Sequence, residues 1–318
     1  MVANLELLSD KPATYAFVVL LGLLFGSFAN VCIYRWPPTP EFPKGRSVVM
    51  PGSHCFACNT PIAWYDNVPL LSYLWLRGKC RACKAGFSAR YLLVEALTGL
   101  LFGVAWWFAT RATLYYEPFD TRLVRFAVYA TFIFVMVVIA FIDLDHKLIL
   151  NKVTLPSLVL FYGLGLLLPE RRWFDGLVGA AVGYGLPWLV GEIYYRVTER
   201  EGLGLGDSML LAVIGALLGW PGVLVSLFGG SMIGSVIGLG MVLGGRGVGG
   251  DTDDDEAEPD APEPEIEGPP EPAAEPAPAS GASLLRAELP FGPFLVAGAL
   301  FYLFAADWIH LKFTMLGN

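Results

Sequence analysis

Glu201-Gly202-Leu203-Gly204-Leu205-Gly206-Asp207-Ser208 is a short glycine-rich stretch that leads directly into an apolar run, Met209 to Trp220. It delivers one carboxylate to the edge of a membrane segment, where an ionisable group is costly to bury and usually marks a functional site. Gly204 and Gly206 allow positive φ angles and the close approach of another segment. Asp207 is also suited to cap the helix that follows, because Asp is a favoured N-cap residue. The stretch alone leaves both roles open for Asp207.

The composition is that of a multi-pass membrane protein. Of 318 residues, 55% are hydrophobic and only 16% are charged, and the mean hydropathy is +0.56. The net charge of −8 arises in one segment, because twelve of the 29 acidic residues and no basic residue lie between Asp251 and Glu275. The other 17 acidic and 21 basic residues give the rest of the chain a net charge of +4.

Apolar runs predict an all-α polytopic fold with about eight transmembrane helices, at 14–33, 91–109, 123–142, 153–168, 174–194, 208–218, 222–243 and 291–309. The first run is long enough to span, and the segment before it holds Glu6 and Asp10 against Lys11, which argues against a secretory signal peptide. The run at 208–218 is short for a crossing. It either extends backward through the glycine-rich stretch or belongs to a broken helix that lines a cavity.

The distribution of Lys and Arg predicts the orientation. With eight spans and both termini outside, the cytoplasmic loops hold fourteen of the 21 basic residues, eight of them between Tyr34 and Arg90. Asp143 and Asp207 then both fall at cytoplasmic ends of spans. Two carboxylates at one membrane depth can meet, which favours an active-site role for Asp207 over a cap.

Asp143 is the first polar residue after an apolar run, and Asp145 follows it. On a helix these two positions are about 200° apart, so only one can face a given partner, and Asp143 is the deeper. Two facing aspartates favour aspartic protease chemistry: one ionised carboxylate takes a proton from water, and the other, protonated, donates to the scissile carbonyl. No Gly-x-Ser-x-Gly or His-Glu-x-x-His motif competes. Glu95 and Glu192 are interpreted as structural acids, paired with Lys, Arg or backbone donors.

Four cysteines form two pairs, Cys55-x-x-Cys58 and Cys80-x-x-Cys83, with 21 residues between the pairs. Two tight turns that each present two thiolates complete a tetrahedral shell, and this spacing is typical of a structural zinc ribbon. In a loop rich in Lys and Arg, zinc is favoured over disulfides or redox-active thiols. A closed four-thiolate shell leaves no open position, so we expect a structural metal. His54 is interpreted as a bystander.

The stretch from Gly250 to Ser280 is acidic and rich in proline, with almost no residue that forms a core. Such a segment cannot offset its ordering entropy, which predicts disorder. A solvated linker between the last two spans is the favoured interpretation, and a docking site for a basic partner is the alternative.

Motifs along nearly the whole chain are shared with one known family, at Gly26–Val31, Trp64–Tyr73, Arg90–Glu95, Phe141–Pro156, Gly204–Asp207 and Pro290–Pro293, together with the four-cysteine loop. The chain thereby resembles the prepilin peptidases, or type IV leader peptidases, which are polytopic aspartic proteases. The resemblance implies a bacterial inner-membrane enzyme that cuts leaders from type IV prepilins and type II secretion pseudopilins on the cytoplasmic side. It implies Asp143 and Asp207 as the catalytic pair, with Gly204 and Gly206 in the supporting loop.

Many family members also methylate the new N-terminal amine with S-adenosylmethionine, and this second activity is implied by resemblance only. The Gly-x-Gly-x-x-Gly match from Gly245 to Gly250 does not join a strand to a helix, so it is attributed to chance and the cofactor-binding residues stay unassigned. The chain departs from the family at Ile149-Leu150-Asn151, where Leu-Pro-Asp is common, and in its acidic insertion.

The predicted organisation is a first transmembrane helix within 1–33, a cytoplasmic tetracysteine loop at 34–90, a membrane catalytic core at 91–248, an acidic linker at 249–285 and a last helix within 286–318. Two other functions stay open: a membrane protease of the same chemistry with other substrates, and a proton-coupled carrier or scaffold. The expected partners are prepilins, pseudopilins and the lipid bilayer, without nucleic acid. The oligomeric state is not indicated.

Overall fold

The computed structural model of the protein describes residues 11–111, 118–199, 204–243 and 290–316. Its helices are α1 (Pro12–Arg35), α2 (Leu71–Leu76), α3 (Arg90–Arg111), α4 (Phe119–His146), α5 (Asn151–Gly165), α6 (Trp173–Thr198), α7 (Leu205–Leu243) and α8 (Gly292–Leu316). A 3-10 turn at Trp64–Asn67 precedes α2. Within the described ranges, β pairing is limited to two isolated bridges in the loop between α1 and α3. The prediction of an all-α fold is confirmed.

The number of membrane helices also agrees with the prediction. Five helices are long and apolar enough to cross a membrane, namely α1, α3, α4, α6 and α7. The 15 residues of α5 make a helix of about 22 Å, shorter than a full crossing. An apolar segment of α8 is described over Gly292–Ala306. With the two halves of α7 counted separately and the short α2 left out, the described residues contain eight helices, which fits the prediction, and the five long apolar ones make the chain a multi-pass membrane protein.

A break inside α7 explains why its two halves appear as separate apolar runs. Gly219 has φ 72° and ψ −179°, a conformation that favours glycine, and Pro221 just beyond it lacks the N–H that would continue the helical bonding. The first half begins at Leu205, so the helix extends backward into the glycine-rich stretch, one of the two possibilities predicted. Asp207 therefore lies in the first turn of α7.

The central element is α4, which packs against α1, α3, α5 and α8. Phe132, Ile133 and Met136 on this helix are completely buried. Most residues of its second half are buried as well, and the run ends with Asp143. The apolar packing of α4 thus fixes the depth at which this carboxylate lies.

Glycines allow the other helices to approach one another closely. Gly22 and Gly26 on α1 face α3, and a Cβ atom added at either position would lie within 2.8 Å of a backbone or side-chain atom of that helix. Gly179 and Gly183 on α6 meet the backbone of the first half of α7 so closely that a Cβ atom would overlap it. Small residues at such contacts are typical of helix pairs in membranes.

The contacts within the chain define two units. The first is formed by Met1–Ile233 and Pro290–Asn318, and it includes the aspartates and the tetracysteine loop. The second, Gly234–Leu289, is described only through the last residues of α7. The predicted acidic linker at 249–285 lies outside the described residues.

Candidate active site

Asp143 lies in the last helical turn of α4 and is buried, with 5% of its surface exposed. Its carboxylate oxygen Oδ2 accepts a hydrogen bond of 2.9 Å from the backbone N–H of Gly292. Its carbonyl accepts the N–H of Lys147, which ends the helix in the left-handed conformation at φ 49°. Both the backbone and the side chain of Asp143 are therefore held in place.

Asp207 is half-buried in the first turn of α7. The backbone N–H groups of Asp207 and Ser208 donate to the carbonyl of Gly204, at 3.1 and 3.4 Å. Gly206 lies against the segment that follows α4, because a Cβ atom added to it would be 3.1 Å from Cβ of Ile149. This contact brings the start of α7, which carries Asp207, beside the end of α4, which carries Asp143.

Gly292 is a site residue to which the sequence assigned no role. It is the first residue of α8, where N–H groups have no partner within the helix and the helix dipole is positive. A Cβ atom at this position would lie 2.6 Å from Oδ2 of Asp143, so only glycine permits the approach. Gly292 lies within the Pro290–Pro293 motif that the sequence shares with the family, but nothing in that motif indicates that Gly292 contacts Asp143.

Arg90, at the start of α3, anchors the helix end that carries Asp143. Its Nη2 donates to the carbonyl of Phe141 at 3.0 Å, and its guanidinium lies over the Phe141 ring, 5.2 Å from the centroid. Its Nη1 forms an ion pair with Asp145, which is exposed. Asp143 and Asp145 thus point to different environments, as the helical spacing predicts.

We expect Arg90→Met to slow substrate cleavage by about tenfold, because the last turn of α4 loses a hydrogen bond from a charged group. Arg90→Lys keeps the charge, but an ammonium group lacks the planar fork with which Arg90 contacts both the Phe141 carbonyl and Asp145. The cleavage rate of Arg90→Lys should therefore fall between those of the wild type and Arg90→Met. Initial cleavage rates of matched amounts of each variant measure the effect. Equal rates for all three proteins would show that Arg90 does not position the site.

The tetracysteine loop contains two similar turns. In the first turn, which contains Cys55 and Cys58, a β-bridge joins His54 to Pro61. In the second turn, which contains Cys80 and Cys83, a β-bridge joins Lys79 to Gly86. The residue after each pair, Asn59 or Lys84, has a left-handed φ of 55° or 63°. Each turn therefore directs its two thiols to the same side.

The four sulfur atoms fit a metal ion. They form no disulfide, and all lie within 4.8 Å of one another. Cys55 Sγ is 3.7 Å from Cys83 Sγ, and Cys58 Sγ is 4.0 Å from Cys80 Sγ. A tetrahedral ion with metal–sulfur bonds of about 2.3 Å sets its ligands about 3.8 Å apart. These two separations lie within about 0.2 Å of that value, so the cluster suits a tetrahedral ion.

Local hydrogen bonds lower the pKa of two of these thiols. The side-chain hydroxyl of Thr60, and then its backbone, lower the pKa of Cys58 to about 6. The pKa of Cys80 is lowered as well, chiefly by a backbone hydrogen bond of Cys83. Donors directed at sulfur favour the thiolate form. For Cys83, a backbone hydrogen bond of Ala85 lowers the pKa, but burial and hydrogen bonds with the other three thiols outweigh it and raise the pKa to about 11.

The two further acids in apolar helices have structural partners, as predicted. Glu192 forms an ion pair of 2.8 Å with Arg196, one helical turn further along α6. Glu95 on α3 accepts the backbone N–H of Leu70 at 2.9 Å. This second bond connects α3 to the tetracysteine loop.

Comparison with known proteins gives two family matches that together cover most of the chain. Residues 20–109 match the model of the bacterial peptidase A24 N-terminal domain, and residues 130–239 match the model of the type IV leader peptidase family. The chain belongs to the type IV leader peptidase family. The second match contains both aspartates, and the first ends before α4.

Several bacterial relatives of this family are similar along most of their length, and each is named prepilin leader peptidase/N-methyltransferase. The protein of Aeromonas salmonicida is 37% identical over 266 residues, which cover 76% of this chain and 87% of the relative. The protein of Myxococcus xanthus is 39% identical over 253 residues, which cover 79% of this chain and 70% of the relative. The protein of Pseudomonas aeruginosa is 34% identical over 261 residues, which cover 75% of this chain and 84% of the relative. No solved structure matches the chain.

Proposed function

We propose that this protein is a membrane aspartic endopeptidase that removes the leader from type IV prepilins and type II secretion pseudopilins. The observation that carries the proposal is the placement of Asp143, buried and fixed by Gly292, beside the start of α7, where Gly206 packs against Ile149. The names of the relatives support prepilins as the substrate class.

The two aspartates act together in this proposal. Like charges at short range do not both ionise easily, so the pair shares a proton. The N–H of Gly292 occupies Oδ2 of Asp143 as a donor, which leaves Oδ1 of Asp143 and the carboxyl of Asp207 for the shared proton and the water. The ionised carboxylate takes a proton from water, and the protonated one donates to the scissile carbonyl.

We propose that cleavage takes place at the cytoplasmic face of the bacterial inner membrane. The end of α4, the start of α7 and the tetracysteine loop follow one another on the same side of the helices in the predicted eight-span topology. That side carries most of the Lys and Arg residues. The resemblance to the family implies that the leader is cut on the same side.

Incubation of the purified protein in detergent with a prepilin tests the proposal. The expected product is a pilin shortened at its N-terminus, identified by its mass. A protein that leaves prepilins intact but cuts another membrane protein would belong to the alternative of a protease with other substrates. A protein that cuts neither would support the carrier or scaffold.

We further propose that Cys55, Cys58, Cys80 and Cys83 hold one structural zinc ion. The fit of the four sulfur atoms to a tetrahedral shell supports this assignment. A closed shell has no position for water or substrate, so the metal would stabilise the loop and take no part in cleavage.

Metal analysis of purified protein is expected to find about one zinc ion per chain. Cys55→Ser or Cys80→Ser should lower both the zinc content and the yield of folded protein, because zinc binding contributes free energy of folding. Cys32→Ser, in α1 and outside the cluster, is the matched control for losing a buried thiol. Fully reduced, active protein without zinc would contradict the assignment.

We also propose that the protein methylates the new N-terminal amine, with S-adenosylmethionine as the donor. The names of the relatives support this second activity. The aspartate pair and the tetracysteine cluster do not supply a site for such a donor, so another part of the chain has to bind it.

A further inference from the structure

A cavity of about 400 Å³ lies between the tetracysteine loop and the adjoining ends of α1 and α3. This volume is within the range of small-molecule sites, about 300–1,000 Å³. Neither Asp143 nor Asp207 lines the cavity, so it is separate from the peptidase site. Proteolysis does not use it, and Cys80 is the metal-binding cysteine that contributes to its wall.

The walls of the cavity are rich in aromatic rings, contributed by Tyr34, Phe56, Tyr65, Tyr73, Phe87 and Tyr91. Ring faces attract cationic centres such as quaternary ammonium groups, and they stack on flat heterocyclic bases. A ligand that combines an onium centre with a base would find partners for both.

The charged groups of the cavity differ in whether they are already paired. Arg81 and Asp66 form two hydrogen bonds with each other, at 2.7 and 2.5 Å. Arg35 donates to two loop carbonyls, at 2.9 and 3.3 Å. Glu95 is different, since no cation pairs with it in the part of the chain that the structure describes. Lys79 lines the cavity as well and is exposed.

We propose that this cavity binds the S-adenosyl methyl donor, an inference that rests on the proposed N-methyltransferase activity. Such a donor carries a sulfonium and an ammonium, which suit Glu95 and the aromatic rings, and a carboxylate, which suits Lys79. When bound, it supplies a methyl group to an amine nitrogen: the N–C bond forms as the S–C bond breaks, and S-adenosylhomocysteine and a proton are released.

The position of the cavity along α3 suits a methyl acceptor produced by the peptidase. Arg90 contacts the end of α4 that carries Asp143, and the next residue, Tyr91, lines the cavity. The side chain of Asn30 on α1 donates to the carbonyl of Tyr91 at 3.0 Å, which fixes this part of α3. Neighbouring residues of one helix thus belong to the two sites, which favours transfer of a newly cut N-terminus from one to the other.

A purely structural role for Glu95 makes a different prediction. Its carboxylate accepts the N–H of Leu70, a residue with φ 57° and ψ −49°, which is unfavourable for a side chain of this type. Glu95→Gln keeps an oxygen that accepts this hydrogen bond and removes only the charge. If Glu95 serves the loop alone, the substitution leaves donor binding unchanged.

Equilibrium dialysis of radiolabelled S-adenosylmethionine against the full-length, zinc-containing protein in detergent tests the proposal. We expect saturable binding that S-adenosylhomocysteine displaces. Glu95→Gln should weaken it at least about tenfold, the effect of losing a charge-assisted contact. Ile62→Trp, which places a large ring in the cavity wall, should weaken it by a similar factor. Glu192→Gln, the same change in α6, should leave the affinity unchanged.

Prepilin cleavage by the same wild-type preparation separates this inference from the proposed function. A preparation that cleaves prepilin without saturable donor binding overturns the cavity assignment and leaves the peptidase standing. Donor binding without cleavage, weakened by the cavity variants, supports the assignment and contradicts the peptidase. Wild-type affinity in both Glu95→Gln and Ile62→Trp places the donor elsewhere. If Glu95→Gln fails to fold, Ile62→Trp decides alone.

Discussion

Asp143→Asn and Asp207→Asn are each expected to abolish prepilin cleavage, with rates at least about 10³-fold below wild type. Each substitution removes the shared proton and with it the general acid or base, and such catalysis contributes about 10²–10⁴-fold. Asp143→Glu and Asp207→Glu should be impaired by about 100-fold, because the extra methylene displaces the carboxyl group by about 1 Å. The measurement is cleavage of one prepilin by matched amounts of membrane-inserted protein.

Asp145→Asn is the matched control, since it makes the same change two residues away on an exposed position. Asp145 pairs with Arg90, and an exposed ion pair contributes about 0–1 kcal/mol, so most activity should remain. An inactive Asp145→Asn beside an active Asp143→Asn would overturn the assignment. Normal cleavage by all of these variants would rule out an aspartyl mechanism.

Gly292→Ala is expected to lower the cleavage rate by about 100-fold while the protein still folds and inserts. The added methyl group would lie 2.6 Å from Oδ2 of Asp143, well inside ordinary contact at 3.4 Å or more. Either the carboxylate or the start of α8 must move, and the hydrogen bond from the Gly292 N–H is lost or lengthened. A displacement approaching 1 Å at a catalytic group has about this effect.

Gly185→Ala, in α6, provides the comparison for a glycine in a membrane helix. No atom lies within 4 Å of the position that its Cβ would take, so activity should be kept. The kinetic constants locate the effect: Gly292→Ala should reduce kcat more than it raises KM, because the substituted residue acts through Asp143. Wild-type kcat in Gly292→Ala would show that the N–H of Gly292 is dispensable.

The sequence by itself determined the membrane architecture. Long apolar runs cannot remain in water and must satisfy their backbone polar groups internally, so the helices follow from composition and length alone. The position of Asp143 directly after an apolar run predicted that it lies deeper than Asp145. In the structure Asp143 is buried and Asp145 is exposed, which confirms this prediction. The cysteine spacing indicated a four-sulfur cluster because both turns are local.

Only the tertiary structure decided what meets Asp143 and where a second ligand could bind. The bond from Gly292 connects residues 149 positions apart, and the contact of Arg90 with Phe141 connects residues 51 apart. Neither partner has a periodicity or spacing that reveals the other, because such contacts depend on how α3, α4 and α8 pack. The cavity beside Glu95 likewise forms only where α1, α3 and the tetracysteine loop come together. Local physical chemistry fixes the depth and type of each helix, whereas the packing of distant helices fixes the groups that surround each aspartate.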